Sequence, residues 1–146
     1  MPTQNRPLPQ VNEDSAPYWE SAREHALKIQ RCSACDRHRF YPTAICHFCG
    51  SLDFVWTPIE GTGTVHSYTV VHRAGVGAFA ARMPYTVALV TLAEGPVMMA
   101  NVLTADGQDI DADDPAAEVG IGTRVTVAYE DLTEDITLPV FVPAVG

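Results

Sequence analysis

Basic residues are scarce in this chain. Nine Lys and Arg stand against eighteen Asp and Glu, for a formal net charge of −9 and a pI near 4.8. A surface of that sign repels a polyphosphate backbone, because nucleic-acid affinity depends on many cations displacing counterions. Long apolar runs are missing as well: none approaches the ~18 residues that would span a bilayer, and the first thirty residues hold no apolar signal-peptide core. The expectation is a soluble, cytoplasmic protein with no membrane role. No internal repeat, Ser-containing nucleophile elbow or Gly-rich phosphate loop is present. Hydrophobic content of 47% and charged content of 18% remain, which is ordinary for a globular chain, and 146 residues suffice for one domain or a small module joined to a modest one.

Cysteine is limited to four residues, and all four fall in two matched knuckles, Cys32-Ser-Ala-Cys35 and Cys46-His-Phe-Cys49. A Cys-x-x-Cys turn presents two sulfurs to one ion, and two such turns complete a tetrahedral thiolate shell for Zn²⁺. A closed shell leaves no position for water or substrate, so the zinc is structural and His47 is a bystander. Disulfides suit an exported chain, a redox pair needs one knuckle beside a βαβ pattern, and iron also fits four thiolates; zinc is preferred because the knuckles are paired. The ten residues between the knuckles are enough for a small hairpin. No Cys is left over to act as a nucleophile.

Residues 1–14 hold Pro2, Pro7 and Pro9 among polar residues and read as an extended arm. Asp14 or Ser15 caps a helix from about Ala16, with Pro17 in its first turn and Tyr18, Ala22 and Ala26 on one stripe. Leu27 and Ile29 alternate with Lys28 and Gln30 as a strand entering the first knuckle. Beyond Gly61-Thr-Gly63 the texture becomes strand-like: 64–72, 85–92, 97–103, 123–129 and 137–142, with a turn at Glu94-Gly-Pro96 and an acidic loop from Asp106 to Gly122. Five strands with one long connection, one of them apolar on both faces, suggest a small closed barrel of the OB type. The fold class is therefore mainly β, with an arm and helix over 1–26, a zinc ribbon over 27–59 and a five-stranded OB barrel over 60–146.

Charge is unevenly spread. Arg23, Lys28, Arg31, Arg37 and Arg39 lie around the first knuckle, and that half also carries Tyr18, Trp19, Phe40 and Tyr41. Aromatics and Arg are the usual interface anchors, so Tyr18, Trp19, Arg37, Phe40 and Tyr41 are candidate partner contacts; the competing role for the aromatics is to pack the helix onto the ribbon. His66 and His72, six apart on one strand, share a face if the strand is regular and are candidate acid–base groups for an independent enzyme. A nucleic-acid-binding ribbon and barrel is the other alternative.

In order and spacing, Pro17-Tyr18-Trp19, the first knuckle, Phe40-Tyr-Pro42, Cys46-His-Phe-Cys49-Gly50, Gly61-Thr-Gly63-Thr-Val65, Val70-Val-His72-Arg73, Pro84-Tyr85 and Leu138-Pro-Val-Phe141 resemble the DUF35 family. Members of that family join a rubredoxin-like zinc ribbon to an OB-fold associated with acyl-CoA. Asp36 is a departure, standing where members often carry Gly, but Asp tolerates a left-handed turn. The resemblance implies an accessory role: a non-catalytic subunit of a hetero-oligomer with a thiolase-superfamily acyltransferase, condensing enzyme or steroid side-chain retro-aldolase. It directs attention to the loop from His72 to Tyr85, where Gly75 and Gly77 admit close backbone approach. There Arg73 and Arg82 are expected to meet CoA phosphates, and Phe79, Met83 and Tyr85 to line the acyl side.

Overall fold

The computed structural model describes residues 7–73, 79, 82–117 and 119–144. Among the described residues, helix α1 (Ala16–Arg23) precedes eight strands: β1 (Lys28–Cys32), β2 (His38–Arg39), β3 (Phe54–Pro58), β4 (Thr62–Val71), β5 (Tyr85–Leu92), β6 (Val97–Val102), β7 (Arg124–Asp131) and β8 (Thr137–Pro143). The helix starts where the caps and Pro17 place it, with Ser15 at the N-cap. The Ser15 carbonyl accepts from the Trp19 N–H at 3.1 Å, but its hydroxyl makes no cap bond in the first turn; it accepts instead from the Asn12 N–H at 3.1 Å, while the Ser15 N–H donates to Asn12 Oδ1 at 2.9 Å. Tyr18, Trp19, Ser21 and Ala22 form the buried stripe. Ala26 does not join it: the helix stops at Arg23, His25 takes a positive φ of 58°, and Ala26 is exposed.

The ribbon is a three-stranded antiparallel sheet in the order β2-β1-β3. Leu27 and Ile29 are buried as the alternation predicts, but so is Gln30, at 1% exposure. Its amide is matched on both sides, Oε1 accepting from the Thr43 N–H and Nε2 donating to the Thr43 carbonyl, which removes the penalty for burying it.

The remaining strands close into a barrel, β4-β5-β6-β8-β7, with β7 returning to β4. Four of its junctions are antiparallel; the fifth, β6 to β8, is parallel and pairs Val102 with Phe141. Five strands and one parallel closure past a long connection are the OB topology. Val65, Val90, Val102, Val125 and Phe141 fill the interior at 1% exposure or less. Gly63 is required by packing: a Cβ there would lie 2.6 Å from Val90 Cγ1 and 2.7 Å from the Thr91 carbonyl oxygen. Buried Thr86 pins the acidic loop to the barrel, donating its hydroxyl to the Ile110 carbonyl at 2.6 Å and accepting from the Ala112 N–H at 3.1 Å.

Strand β4 is not regular, and this corrects the pairing of His66 with His72. Val65 opposes Val90 and Ser67 opposes Leu89, so His66 is the extra residue of a β-bulge. An inserted residue reverses the parity of the strand beyond it, and β4 ends at Val71, one residue before His72, so the regular strand that would set both histidines on one face is not there.

Helix, ribbon base and barrel share one core: Tyr18, Trp19, Leu27 and Ile29 pack in the same buried cluster as the barrel's valines and Phe141. At the seam the Leu27 N–H donates to the Tyr129 hydroxyl at 3.0 Å, His25 stacks on the Tyr129 ring at 4.7 Å, and His25 Nε2 lies 2.9 Å from Asp131 Oδ1. Asp131 also accepts from the Thr137 hydroxyl at 2.6 Å, and the His25 and Thr137 bonds hold its carboxyl below the usual range.

Candidate functional site

Both knuckles are built alike. In the first, the Asp36 N–H closes on the Cys32 carbonyl at 2.9 Å; in the second, the Gly50 N–H closes on the Cys46 carbonyl at 2.8 Å. Each turn ends on a left-handed residue, Asp36 at φ 66° and Gly50 at φ 80°, so Asp36 does adopt the conformation a glycine would. The four sulfurs lie within 4.8 Å of one another, with Cys32 to Cys49 at 3.6 Å and Cys35 to Cys46 at 3.8 Å. A Zn–S bond of about 2.3 Å in a tetrahedron puts sulfurs about 3.8 Å apart, so the set fits zinc as it stands. The thiols are pulled in opposite directions. Cys46 is drawn down to about 6, burial being outweighed by the N–H groups of Phe48 and Cys49 and by the Arg39 guanidinium. Cys49 is pushed up to about 11, the Ser51 N–H being outweighed by the neighbouring sulfurs and burial. Four thiolates this close ionise together only when a cation shares them.

Arg39, counted by sequence among the ribbon's surface cations, is 1% exposed and sits behind this centre. Its Nη2 donates to Gln30 Oε1 at 2.9 Å and to the Thr43 carbonyl at 3.1 Å, and its guanidinium lies 5.0 Å over the Phe54 ring. No carboxylate pairs with it among the described residues. The Gln30–Arg39–Thr43 network escaped the sequence reading because nothing in the order Lys-Ile-Gln-Arg-Cys marks which polar residue turns inward. The other ribbon cations remain outside, Arg31 3.3 Å from Asp36 and Arg37 4.6 Å over the Phe48 ring.

Of the five candidate partner contacts, Tyr18 and Trp19 are at 2% and 8% exposure and belong to the core, because a helix of two turns must bury its few large side chains somewhere. They are not free surface anchors. Phe40 is half-buried, while Arg37 and Tyr41 are exposed. The aromatic rings nevertheless gather: Tyr18 lies 5.0 Å from Trp19, 5.5 Å from Phe40 and 6.0 Å from Tyr41. Together with Val87, Met99 and Leu138 of the barrel they line an apolar groove of about 450 Å³. A second cavity, of about 610 Å³, lies between the second knuckle and the turn from β5 to β6, and Arg37, His38, His47, Phe48 and Glu94 line it. Phe40 belongs to the walls of both.

In the loop from His72 to Tyr85, Gly75 and Gly77 lie outside the described residues. Arg73 is exposed. Arg82 is engaged in a two-pronged pair with Asp109, both bonds at 2.8 Å, and stands 5.7 Å from the Phe79 ring, itself 5.7 Å from Tyr85. That pairing removes Arg82 from the free cations expected to meet phosphates. Met83 is half-buried. His72 lies 3.9 Å from Asp113 on the exposed side of the same end of the barrel.

Comparison with known proteins matches residues 19–55 to the ChsH2 rubredoxin-like zinc ribbon domain and residues 56–130 to the ChsH2 C-terminal OB-fold domain. A probable enoyl-CoA hydratase alpha subunit of Thermomonospora curvata is 39% identical over 140 residues, 96% of this chain but 40% of that protein. A DUF35 domain-containing scaffold protein of Pyrococcus furiosus is 34% identical over 95 residues, 64% of this chain and 68% of that protein. Among solved structures, a chain of the Ltp2-ChsH2(DUF35) aldolase superposes with a TM-score of 0.78 at 39% identity, covering 94% of this chain and 99% of that one.

Proposed function

The chain belongs to the DUF35 family of ChsH2-type proteins, which join a rubredoxin-like zinc ribbon to an OB-fold, and on that premise we propose that it is a non-catalytic subunit of a thiolase-superfamily enzyme acting on a CoA ester. The reactions such a partner performs are acyl transfer, Claisen condensation or retro-aldol cleavage, steroid side chains included. The observation that carries this reading is the likeness, at a TM-score of 0.78, to almost the whole of one chain of the Ltp2-ChsH2(DUF35) aldolase. The chain spans 40% of the Thermomonospora relative, so the hydration named for that protein is not carried over.

The chain's own chemistry is in keeping with support. All four cysteines are committed to zinc, whose closed shell offers no catalytic position and whose role is to hold the ribbon in shape. Arg37, Phe40 and Tyr41 present an accessible aromatic and cationic edge on that rigid ribbon, the composition of an interface anchor, and we assign the partner contact to them. The ribbon (27–59) then serves as docking unit and the barrel (60–146) as ligand-facing unit, and the helix of the arm-and-helix segment (1–26) packs into the core that they share.

Co-expression with a thiolase-like protein encoded beside it tests the reading. The expected result is a complex on size exclusion with CoA-ester turnover that neither chain shows alone, and an Arg37→Glu/Tyr41→Ala variant that folds but assembles about tenfold more weakly. Separate elution of the two chains, or turnover by the isolated chain that is lost in His72→Ala, refutes it.

A further inference from the structure

The connection from β6 to β7 carries Asp106, Asp109, Asp111, Asp113 and Asp114, and the fold gives these carboxylates different neighbours. Asp109 is taken up by Arg82 in the two-pronged pair, and Asp114 Oδ1 accepts from the Ala116 N–H at 2.9 Å. Asp111 and Asp113 are placed by the residues that alternate with them. Ile110 and Ala112 are buried, and Thr86 of β5 holds both, through the Ile110 carbonyl and the Ala112 N–H. With those two turned inward, half-buried Asp111 and exposed Asp113 are left on the outside of the same short stretch. His72 stands against them. It is the residue after the end of β4, where Val70 pairs with Thr86 and Val71 with Tyr85, so Thr86 fixes both the strand end and the loop.

We propose that His72, Asp111 and Asp113 bind a single divalent first-row metal ion such as zinc, separate from the ribbon site, which fastens the acidic loop to the end of β4. One ligand atom from each of the three lies within 4.8 Å of the other two, and His72 Nε2 is 3.9 Å from Asp113 Oδ2. Bonds of about 2.0–2.2 Å from an ion to nitrogen and oxygen put neighbouring donors about 3–3.5 Å apart, so closing the set takes side-chain shifts on the order of 1 Å. No Lys or Arg pairs with Asp111 or Asp113 among the described residues, and two carboxylates held this close repel unless a cation lies between them. The donor set selects the ion. Magnesium and calcium take oxygen alone, whereas an imidazole nitrogen with two carboxylates suits zinc and its neighbours, and the imidazole, brought in from a different element, separates this set from a merely acidic surface. Asp111 Oδ1 also accepts from the Asp113 N–H at 3.0 Å, a bond that orients a ligating carboxylate. Side-chain exposures of 62% at His72 and 61% at Asp113 put the ion on the rim of the barrel, with its remaining positions open to water. His72 is thereby a ligand and not an acid–base group. The inference stands apart from the accessory reading, because the ion orders the rim whether or not the chain meets an enzyme.

The test starts from the tag-free full chain carrying one equivalent of zinc and no titratable thiol, so that the ribbon is filled. It is then titrated calorimetrically with ZnCl₂ and, separately, with MgCl₂ in a buffer that does not chelate metals. The expected result is one further equivalent of zinc with a Kd on the order of 10 μM, and magnesium at least about tenfold weaker. His72→Ala and Asp113→Asn each weaken the second zinc about tenfold or more, while exposed His66, replaced by Ala as a control on the same strand, leaves it within about twofold. Both ligand side chains are more than half exposed, so neither replacement removes core packing, and ribbon zinc and circular dichroism stay as in the parent. Hydrogen exchange gives a second readout: the second equivalent slows the Ala112 and Asp113 amides in the parent but not in His72→Ala. Magnesium binding as tight as zinc, or a second-zinc affinity that His72→Ala leaves within about twofold, shows that the loop gathers cations by charge alone and overturns the proposal. So does the absence of any second equivalent up to about 0.2 mM zinc.

Discussion

Replacing Cys35 by Ser should melt the knuckle end of the ribbon and leave the barrel standing. Between Cys32 and Phe54 the buried side chains are Cys32 itself, Arg39, Pro42 and Cys46; Phe40 is half-buried against the shared core, and the large apolar residues nearer the knuckles, Ile45, Phe48 and Leu52, are 57%, 48% and 67% exposed. That segment has almost no apolar core to fall back on, and zinc takes its place. Structural zinc in small thiolate sites binds with about 10–16 kcal/mol of apparent free energy, so an even share puts one thiolate of four at about 2.5–4 kcal/mol. Losing that share cancels about what the three turn hydrogen bonds on the Asp36, Cys46 and Gly50 N–H groups, at about 1 kcal/mol each, supply together. The barrel interior is built from Val65, Val90, Val102, Val125 and Phe141 and touches none of the ligands. Hydrogen exchange with metal analysis reads both halves. The amides of Asp36, Cys46 and Gly50, which close the knuckles, should exchange at nearly unprotected rates in Cys35→Ser, with zinc well below one equivalent. Amides of β4 to β8 should keep their protection to within about 0.5 kcal/mol. A variant that retains a full equivalent of zinc and unchanged protection at those three amides would show that Cys35 is not a ligand and that something other than metal holds the ribbon.

Two further outcomes follow from the barrel and its seam with the helix. Thr86→Val keeps the volume but strands the Ile110 carbonyl and the Ala112 N–H in the interior, and urea denaturation should record a loss of about 2–4 kcal/mol; a change under about 0.5 kcal/mol would mean that the acidic loop is not pinned there. The Asp131 carboxyl is held below its unfolded pKa of about 3.9 by its bonds from His25 and Thr137, so its contribution is fully present above that value and is lost as pH falls through the lower folded pKa. Acid denaturation should therefore be shallower in Asp131→Asn than in the parent over that window, and parallel curves would refute the linkage.

Much of the architecture was legible because it depends on local chemistry. Paired Cys-x-x-Cys turns specify a four-sulfur metal site wherever they occur, Asp36 included, because Asp accepts the left-handed turn that closes the first knuckle. The strand from Tyr85 to Leu92 could be read to its ends because its apolar run is bounded by Pro84 and by the Glu94-Gly-Pro96 turn. Element order and the five-stranded barrel followed from such boundaries. Parity beyond a bulge did not: His66 looks like any strand residue, and only the pairing of Val65 with Val90 and Ser67 with Leu89 shows that it is extra.

The rest was decided by contacts far apart in sequence, where residue type alone is ambiguous. Arg39 and Gln30 turn inward because they satisfy one another and Thr43, and a cation so placed is indistinguishable in sequence from the solvated Arg37 two positions earlier. Trp19 became core because a two-turn helix lies against the barrel, and Arg82 lost its free charge because Asp109, on a different loop, folds back within 2.8 Å of it. The apolar groove is likewise tertiary: Phe40 of the ribbon and Met99 of the barrel line it together only because ribbon and barrel share one core. Zinc ligation, turns and strand limits are set by neighbours in the chain, which sequence records; burial, ion pairing and the apolar groove are set by neighbours in space, which it does not.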